Sequence, residues 1–121
     1  MARILVAEDE TSVRAFVVRA LRHHGHEVSE AADGAAALEL LGAGQFDLLV
    51  TDIVMPLMDG IALALAASRD HPQLRILMMT GYSEQKRRAH NLQALIHDVL
   101  DKPFSLDKLV AAVDRALGPN G

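Results

Sequence analysis

Two kinds of hydrophobic pattern alternate along the chain. Ile4-Leu5-Val6-Ala7, Leu48-Leu49-Val50 and Ile76-Leu77-Met78-Met79 are short and almost continuously apolar, as expected of parallel strands covered on both faces. Between them the apolar positions fall at helical spacing. Val13, Phe16, Val17, Ala20 and Leu21 define one face of a helix that should stop at Gly25, a residue suited to a left-handed cap. Leu106, Leu109, Val110, Val113 and Leu117 repeat the pattern, with Ser105 placed to cap that helix and Gly118-Pro119 to end it. Glu27-Val28-Ser29-Glu30 holds one apolar residue among polar ones and reads as a sheet edge, and Asp98-Val99-Leu100 as a short fifth strand. Further helices are expected near 34–42, 59–70 and 84–95, the last resting on the sparse Ala89, Leu92 and Ile96. Five strand–helix units without a repeat imply an α/β fold, a doubly wound parallel sheet with helices on both faces.

Composition narrows the class. The 121 residues make one domain, 1–121, with no separate output domain expected. Aromatics are 3% of the chain and tryptophan is absent, so the core must be aliphatic. Twelve basic against sixteen acidic side chains give a net charge of −4, which argues against a nucleic-acid partner. The absence of cysteine excludes disulfides, thiolate metal sites and a cysteine nucleophile. An acid already at position 8 leaves no stretch for a signal peptide, and no apolar run approaches the roughly 20 residues that span a bilayer. A cytoplasmic protein without membrane contact is expected.

In doubly wound folds the chemistry sits beyond the carboxyl ends of the strands. Glu8 and Asp9 follow the first strand, Thr51 and Asp52 the third, Thr80 and Gly81 the fourth, and Lys102 the fifth. Each has an ordinary explanation alone: Asp9, Glu10, Thr11 or Ser12 as a helix cap, Thr80 in a turn, Lys102 in solvent. Their coincidence at one end of four strands points to a site. Carboxylates about 4 Å apart repel by about 4 kcal/mol at an effective dielectric near 20, so such a cluster needs a cation or a proton. Hard oxygen ligands without histidine or cysteine favour Mg²⁺, with Mn²⁺ possible, over zinc. A carboxylate beside such a metal, a lysine and a threonine hydroxyl suits phosphoryl transfer to that carboxylate, with Asp52 as nucleophile.

The same residues carry a family resemblance. Ile4-Leu5-Val6-Ala7-Glu8-Asp9-Glu10, the run from Asp47 through Thr51-Asp52-Ile53-Val54-Met55-Pro56 to Asp59-Gly60, Met79-Thr80-Gly81 and Asp101-Lys102-Pro103-Phe104 resemble the receiver domain of two-component response regulators, the CheY-like superfamily. The resemblance implies a five-stranded sheet of order 2-1-3-4-5 flanked by five helices. It implies that Asp52 accepts phosphate from a histidine kinase or histidine phosphotransfer protein, with no enzymatic activity beyond self-phosphorylation and self-dephosphorylation. Glu8, Asp9, Asp52 and the Val54 carbonyl would arrange Mg²⁺, Thr80 would be the switch hydroxyl, and Lys102 would contact a phosphate oxygen. A cis Lys102–Pro103 bond is also implied. The downstream partner would meet the face made by the helix at 84–95, the fifth strand and the last helix. Thr51-Asp52-Ile53-Val54-Met55-Pro56 with Thr80-Gly81-Tyr82 and Val99-Leu100 looks like the CpdR-type group of stand-alone receivers, implying a role in controlling ClpXP-type proteolysis.

The chain departs from the family at the mobile aromatic, whose usual place three residues before the lysine is taken by Val99. Tyr82 and the start of the helix at 84–95, including Lys86-Arg87-Arg88, are therefore expected to respond to phosphorylation more than 97–100. Position 54 is apolar, so no side chain there can orient an attacking water. Two alternatives stay open: a phosphorylation-independent adaptor on the same scaffold, and a receiver excised from a larger regulator or hybrid kinase. A flavodoxin-like cofactor protein is disfavoured, because Glu8-Asp9-Glu10 would repel a phosphate at the first loop. His23, His24 and His26 cluster where the first helix ends, a place that favours cationic side chains.

Overall fold

A computed structural model describes residues 2–81 and 98–118. Five parallel strands, β1 (Arg3–Ala7), β2 (Glu27–Ala31), β3 (Leu48–Asp52), β4 (Arg75–Thr80) and β5 (Asp98–Asp101), form one sheet in the order β2-β1-β3-β4-β5. Four helices are described: α1 (Thr11–His23), α2 (Gly34–Ala43), α3 (Gly60–Asp70) and α4 (Leu106–Leu117). This is the doubly wound α/β fold that the sequence implies. The helix expected at 84–95, Tyr82 and Lys86-Arg87-Arg88 lie outside the described residues.

Alternation along the strands divides the core in two. Ile4 and Val6, Leu48 and Val50, Leu77 and Met79, and Leu100 pack against α1 and α4. Leu5 and Ala7, Leu49, Ile76 and Met78 point to the other face, where α2 and α3 cover them and half-buried Val99 packs alongside. Continuous apolar strands are therefore the consequence of two covered faces. The edge strand β2 holds its polar residues partly in water, as its sequence requires.

Helix ends follow their capping chemistry, with one exception. Asp33, Asp59 and Ser105 accept hydrogen bonds from Ala36, Ala62 and Lys108 N–H at the starts of α2, α3 and α4. His24 ends α1 and Gly25 follows with φ 88°, the expected left-handed cap. The start of α1 has no side-chain cap. Instead the Glu10 N–H donates to Glu8 Oε2 at 3.1 Å, so the capping explanation for Asp9, Glu10, Thr11 and Ser12 fails and the loop's acids are left for other work.

Two residues expected in the core are not there: Phe16 is 42% and Leu106 44% exposed. In α1 the buried stripe is turned toward Val17, Val18, Ala20 and Leu21, which leaves Phe16 at its margin. In α4 it starts only at Leu109 and is completed by Ala112 and Ala116.

The chain after β3 turns back tightly onto the strand. Gly60 N–H donates to Ile53 O at 2.7 Å, and a Cβ at Gly60 would lie 2.1 Å from the Asp52 carbonyl oxygen. Only glycine fits there. Gly42, in α2, has nothing within 4 Å of such a Cβ. Gly60→Ala should destabilise the fold by about 2–3 kcal/mol through overpacking against rigid backbone, whereas Gly42→Ala should stabilise it by about 0.5–1 kcal/mol. Thermal unfolding of the two variants checks both signs.

Candidate functional site

Parallel register brings the strand ends together. Ala7 lies beside Thr51, Thr51 beside Met78, Asp52 beside Met79 and Thr80 beside Asp101. Glu8 and Asp9 therefore leave β1 next to Asp52, the last residue of β3, while Lys102 leaves β5 just beyond. The two-residue period also sets their face. Val6, Val50 and Leu100 point toward α1 and α4, so Glu8, Asp52 and Lys102, each two residues further on, emerge on that same side. Thr80 follows Met78 and so belongs to the α2–α3 side, with Val99.

Glu8, Asp9 and Asp52 each offer a carboxylate oxygen to one cluster, all within 4.8 Å of one another. Glu8 is fully buried, Asp52 nearly so, and Asp9 is exposed at the mouth. Lys102 Nζ stands between the two buried acids, 2.6 Å from Glu8 Oε1 and 3.2 Å from Asp52 Oδ2. The other Asp52 oxygen, Oδ1, accepts from Ile53 N–H at 2.9 Å. Lys102 is set in place by its own backbone, whose N–H donates to Thr80 O at 2.9 Å, and the Lys102–Pro103 bond is cis. Thr80 is buried, and among the described residues no buried side-chain nitrogen or oxygen lacks a hydrogen-bond partner. Val54 is 44% exposed two residues beyond Asp52.

Charge and burial compete here. Burial pushes the Glu8 carboxyl up to about 7, against the lowering effect of its hydrogen bonds from Lys102 and the Glu10 N–H, while the Asp52 charge pushes it further up. For Lys102, burial alone would favour the neutral amine, but the bond to Glu8 and the charges of Asp52 and Glu8 prevail and raise its pKa. Two buried carboxylates thus share one ammonium and remain short of positive charge. The donor set is three carboxylates without histidine, and an ammonium already rests between two of them. These are the properties of a site for a hard divalent cation.

Some contributors carry no motif. Arg14 Nη1 donates to Glu8 O at 2.8 Å and its Nε pairs with Glu30 at 3.0 Å, bracing the chain at Glu8. An arginine on a helix gives no sequence signal for such a task. Beside the acids a groove of about 380 Å³ runs between α1 and the segment after β5, bounded by Val13, Phe16, Lys102, Pro103 and Phe104. The rings of Phe16 and Phe104 lie 6.2 Å apart across it. A second cavity of about 600 Å³, near Arg3, Phe46 and Arg75, sits at the opposite ends of the strands, away from the acids.

Fold and site together define a class. Residues 4–114 match the model of the response regulator receiver domain, and the chain belongs to that family. Over 117 residues it is 42% identical to the response regulator receiver protein CpdR of Brucella abortus, covering 97% of this chain and 98% of that one. It is 41% identical to part of the sensor kinase CckA of the same organism, where the match covers 96% of this chain and 12% of the kinase. The chemotaxis response regulator CheY4 of Vibrio cholerae superposes with a TM-score of 0.87 at 30% identity, over 96% of this chain and 98% of that one. The receiver domain of the hybrid histidine kinase CckA does so with a TM-score of 0.81 at 34% identity, over 96% and 99% of the two chains. Membership of this family implies a histidine kinase or phosphotransfer partner. No described helix is long and apolar enough to cross a membrane.

The Glu8 environment makes a pH prediction. A carboxyl whose pKa is raised on folding, here from 4.5 to about 7, binds its proton more tightly in the folded state. Its stabilising contribution is complete below about pH 4.5 and is lost as pH rises through about 7. In metal-free buffer the melting temperature of the parent, relative to Glu8→Gln, should therefore fall steadily from pH 5 to pH 8. A difference that does not change with pH would contradict the account.

Proposed function

We propose that Asp52 accepts a phosphoryl group from a phosphohistidine on a kinase or phosphotransfer protein and that the protein thereby switches its contacts with other proteins. The single observation that carries this reading is the placement of the Lys102 ammonium between Glu8 and Asp52, at 2.6 and 3.2 Å, in a cluster short of positive charge. In the transfer, an Asp52 carboxylate oxygen forms a bond to phosphorus. The phosphorus–nitrogen bond of the donor breaks and its electron pair returns to the imidazole. Ile53 N–H, on Asp52 Oδ1, holds the carboxylate plane so that one oxygen stays oriented during attack. Lys102 is within reach of the oxygens on which negative charge develops, and a fixed ammonium there stabilises the transition state more than the ground state. Glu8, Asp9, Asp52 and the Val54 carbonyl are the residues that would hold Mg²⁺, or Mn²⁺ in its place, which when bound supplies further positive charge to the phosphoryl oxygens.

The acyl phosphate adds charge to a buried position, and Thr80, at the end of the neighbouring strand, is proposed as the hydroxyl that follows it. Half-buried Val99, stiff at χ1, is too small to refill space that Thr80 leaves. The response is instead expected in Tyr82 and the segment from Lys86 to Arg88. We propose that the helix expected at 84–95, β5 and α4 form the face read by the downstream protein. The end-to-end likeness to CpdR, 42% over 98% of that protein, supports a unit that signals by protein contact, and an adaptor role in ClpXP-type proteolysis is proposed on the same ground. A cytoplasmic location goes with this role.

Acetyl phosphate with millimolar Mg²⁺ should add one base-labile phosphoryl group to the protein and none to Asp52→Ala, read by intact-protein mass spectrometry. Chelation of the metal should abolish the reaction, and Asp9→Asn should raise the Mg²⁺ concentration it requires. Labelling of Asp52→Ala would assign the acceptor elsewhere.

A further inference from the structure

Thr51, the residue before Asp52 in β3, carries a hydroxyl that neither the core nor the acid cluster explains. It is fully buried. Its register neighbours are Ala7 on β1 and Met78 on β4, and Leu49 and Ile53 lie two residues to either side on the same face. All four belong to the apolar core beneath α2 and α3. A strand position of this kind suits any β-branched side chain, and valine offers nearly the same shape without a polar atom. A buried hydroxyl costs free energy unless it is hydrogen-bonded. Packing alone therefore favours valine, and the hydroxyl calls for another reason.

That reason lies in what it touches. The Thr51 hydroxyl donates to the Asp52 carbonyl oxygen at 2.9 Å. This oxygen and the Ile53 N–H are the two ends of one planar peptide group, so whatever fixes the tilt of one end fixes the other. The Ile53 N–H is shared between two acceptors, Met79 O on β4 at 3.1 Å and Asp52 Oδ1 at 2.9 Å. The tilt of the peptide plane decides between them. Turned toward β4, the N–H would complete the ladder bond and release the carboxylate. Gly60 crowds the same peptide from outside, where a Cβ would collide with Asp52 O, and its N–H donates to Ile53 O at 2.7 Å. Crowding only excludes positions. The Thr51 hydroxyl adds a directional bond that selects one.

We propose that Thr51 is a positioning residue for the phosphoacceptor: through the Asp52–Ile53 peptide group, its hydroxyl holds the Asp52 carboxylate in the orientation from which it attacks phosphorus. The inference rests on Asp52 being the phosphoacceptor and adds the residue that aims it. Thr51 faces the α2–α3 side of the sheet, whereas Glu8, Asp52 and Lys102 emerge on the other. It acts through the backbone and not on the reacting atoms. Rate is sensitive to aim of this kind, because reacting atoms must meet along a narrow approach.

The test compares Thr51→Val, which keeps the shape and removes the hydroxyl, with Thr51→Ser, which keeps the hydroxyl and removes a methyl. The rate of labelling by acetyl phosphate is measured at saturating Mg²⁺, at a temperature where the parent and both variants are folded. Thr51→Val should be labelled about tenfold more slowly than the parent, and Thr51→Ser within about twofold of it. Melting temperatures should fall in the opposite order, with Thr51→Ser the lower of the two because it leaves a void in a buried face. Such an inversion of rate against stability separates aim from structural support. A Thr51→Val rate equal to that of a parent labelled at Asp52 would overturn the inference alone. So would rates that follow the melting temperatures, or a Thr51→Val chain that does not fold. A parent that is not labelled, or label retained on Asp52→Ala, would overturn the reading of Asp52 and this inference with it.

Discussion

A single ammonium group stands between the two buried acids at the end of this sheet. Glu8 and Asp52 leave adjacent strands on the same face and are both buried, and two such charges would repel by about 4 kcal/mol if nothing stood between them. Lys102, arriving from β5 on the same two-residue alternation, touches both. The strand order brings β5 to that edge, a cis bond follows the lysine, and the exposed Asp9 completes the cluster. One ammonium for two buried carboxylates is an incomplete neutralisation. The remaining deficit suits the site to a further cation.

Most of this was legible because it depends on period and order. Continuous apolar strands such as Leu48-Leu49-Val50 announce two covered faces, and the polar residues that follow them must share one end of a parallel sheet. The places where reading failed are places where neighbours decide. Phe16 has the right spacing for the core of α1, yet the neighbouring Val18 occupies the buried stripe and Phe16 borders a groove. Asp9 and Ser12 have the right chemistry to cap α1, yet Glu8 reaches the Glu10 N–H instead. Leu57 looks like an ordinary apolar residue in Met55-Pro56-Leu57-Met58; its exposure and positive φ appear only once Gly60 and Gly34 have closed around the loop. Arg14 acts across to β2, a contact no local pattern encodes.

Strain and charge deficit play similar parts at the two ends of one loop. The β3–α3 segment begins at Asp52, whose charge is only partly balanced, and carries Leu57, whose backbone is held in an unfavourable turn. Both conditions cost the resting protein stability.

The competition between Lys102 and a metal for the same two carboxylates is the most direct point of attack. Mg²⁺ affinity at pH 7, measured by calorimetric titration of the parent and of Lys102→Met, isolates it. The account predicts tighter Mg²⁺ binding by several-fold in Lys102→Met, because a competing cation has been removed from an acid cluster that the strands still hold together. Weaker binding, or none, in a folded Lys102→Met protein would contradict it, showing that the lysine assembles the carboxylates rather than balancing them.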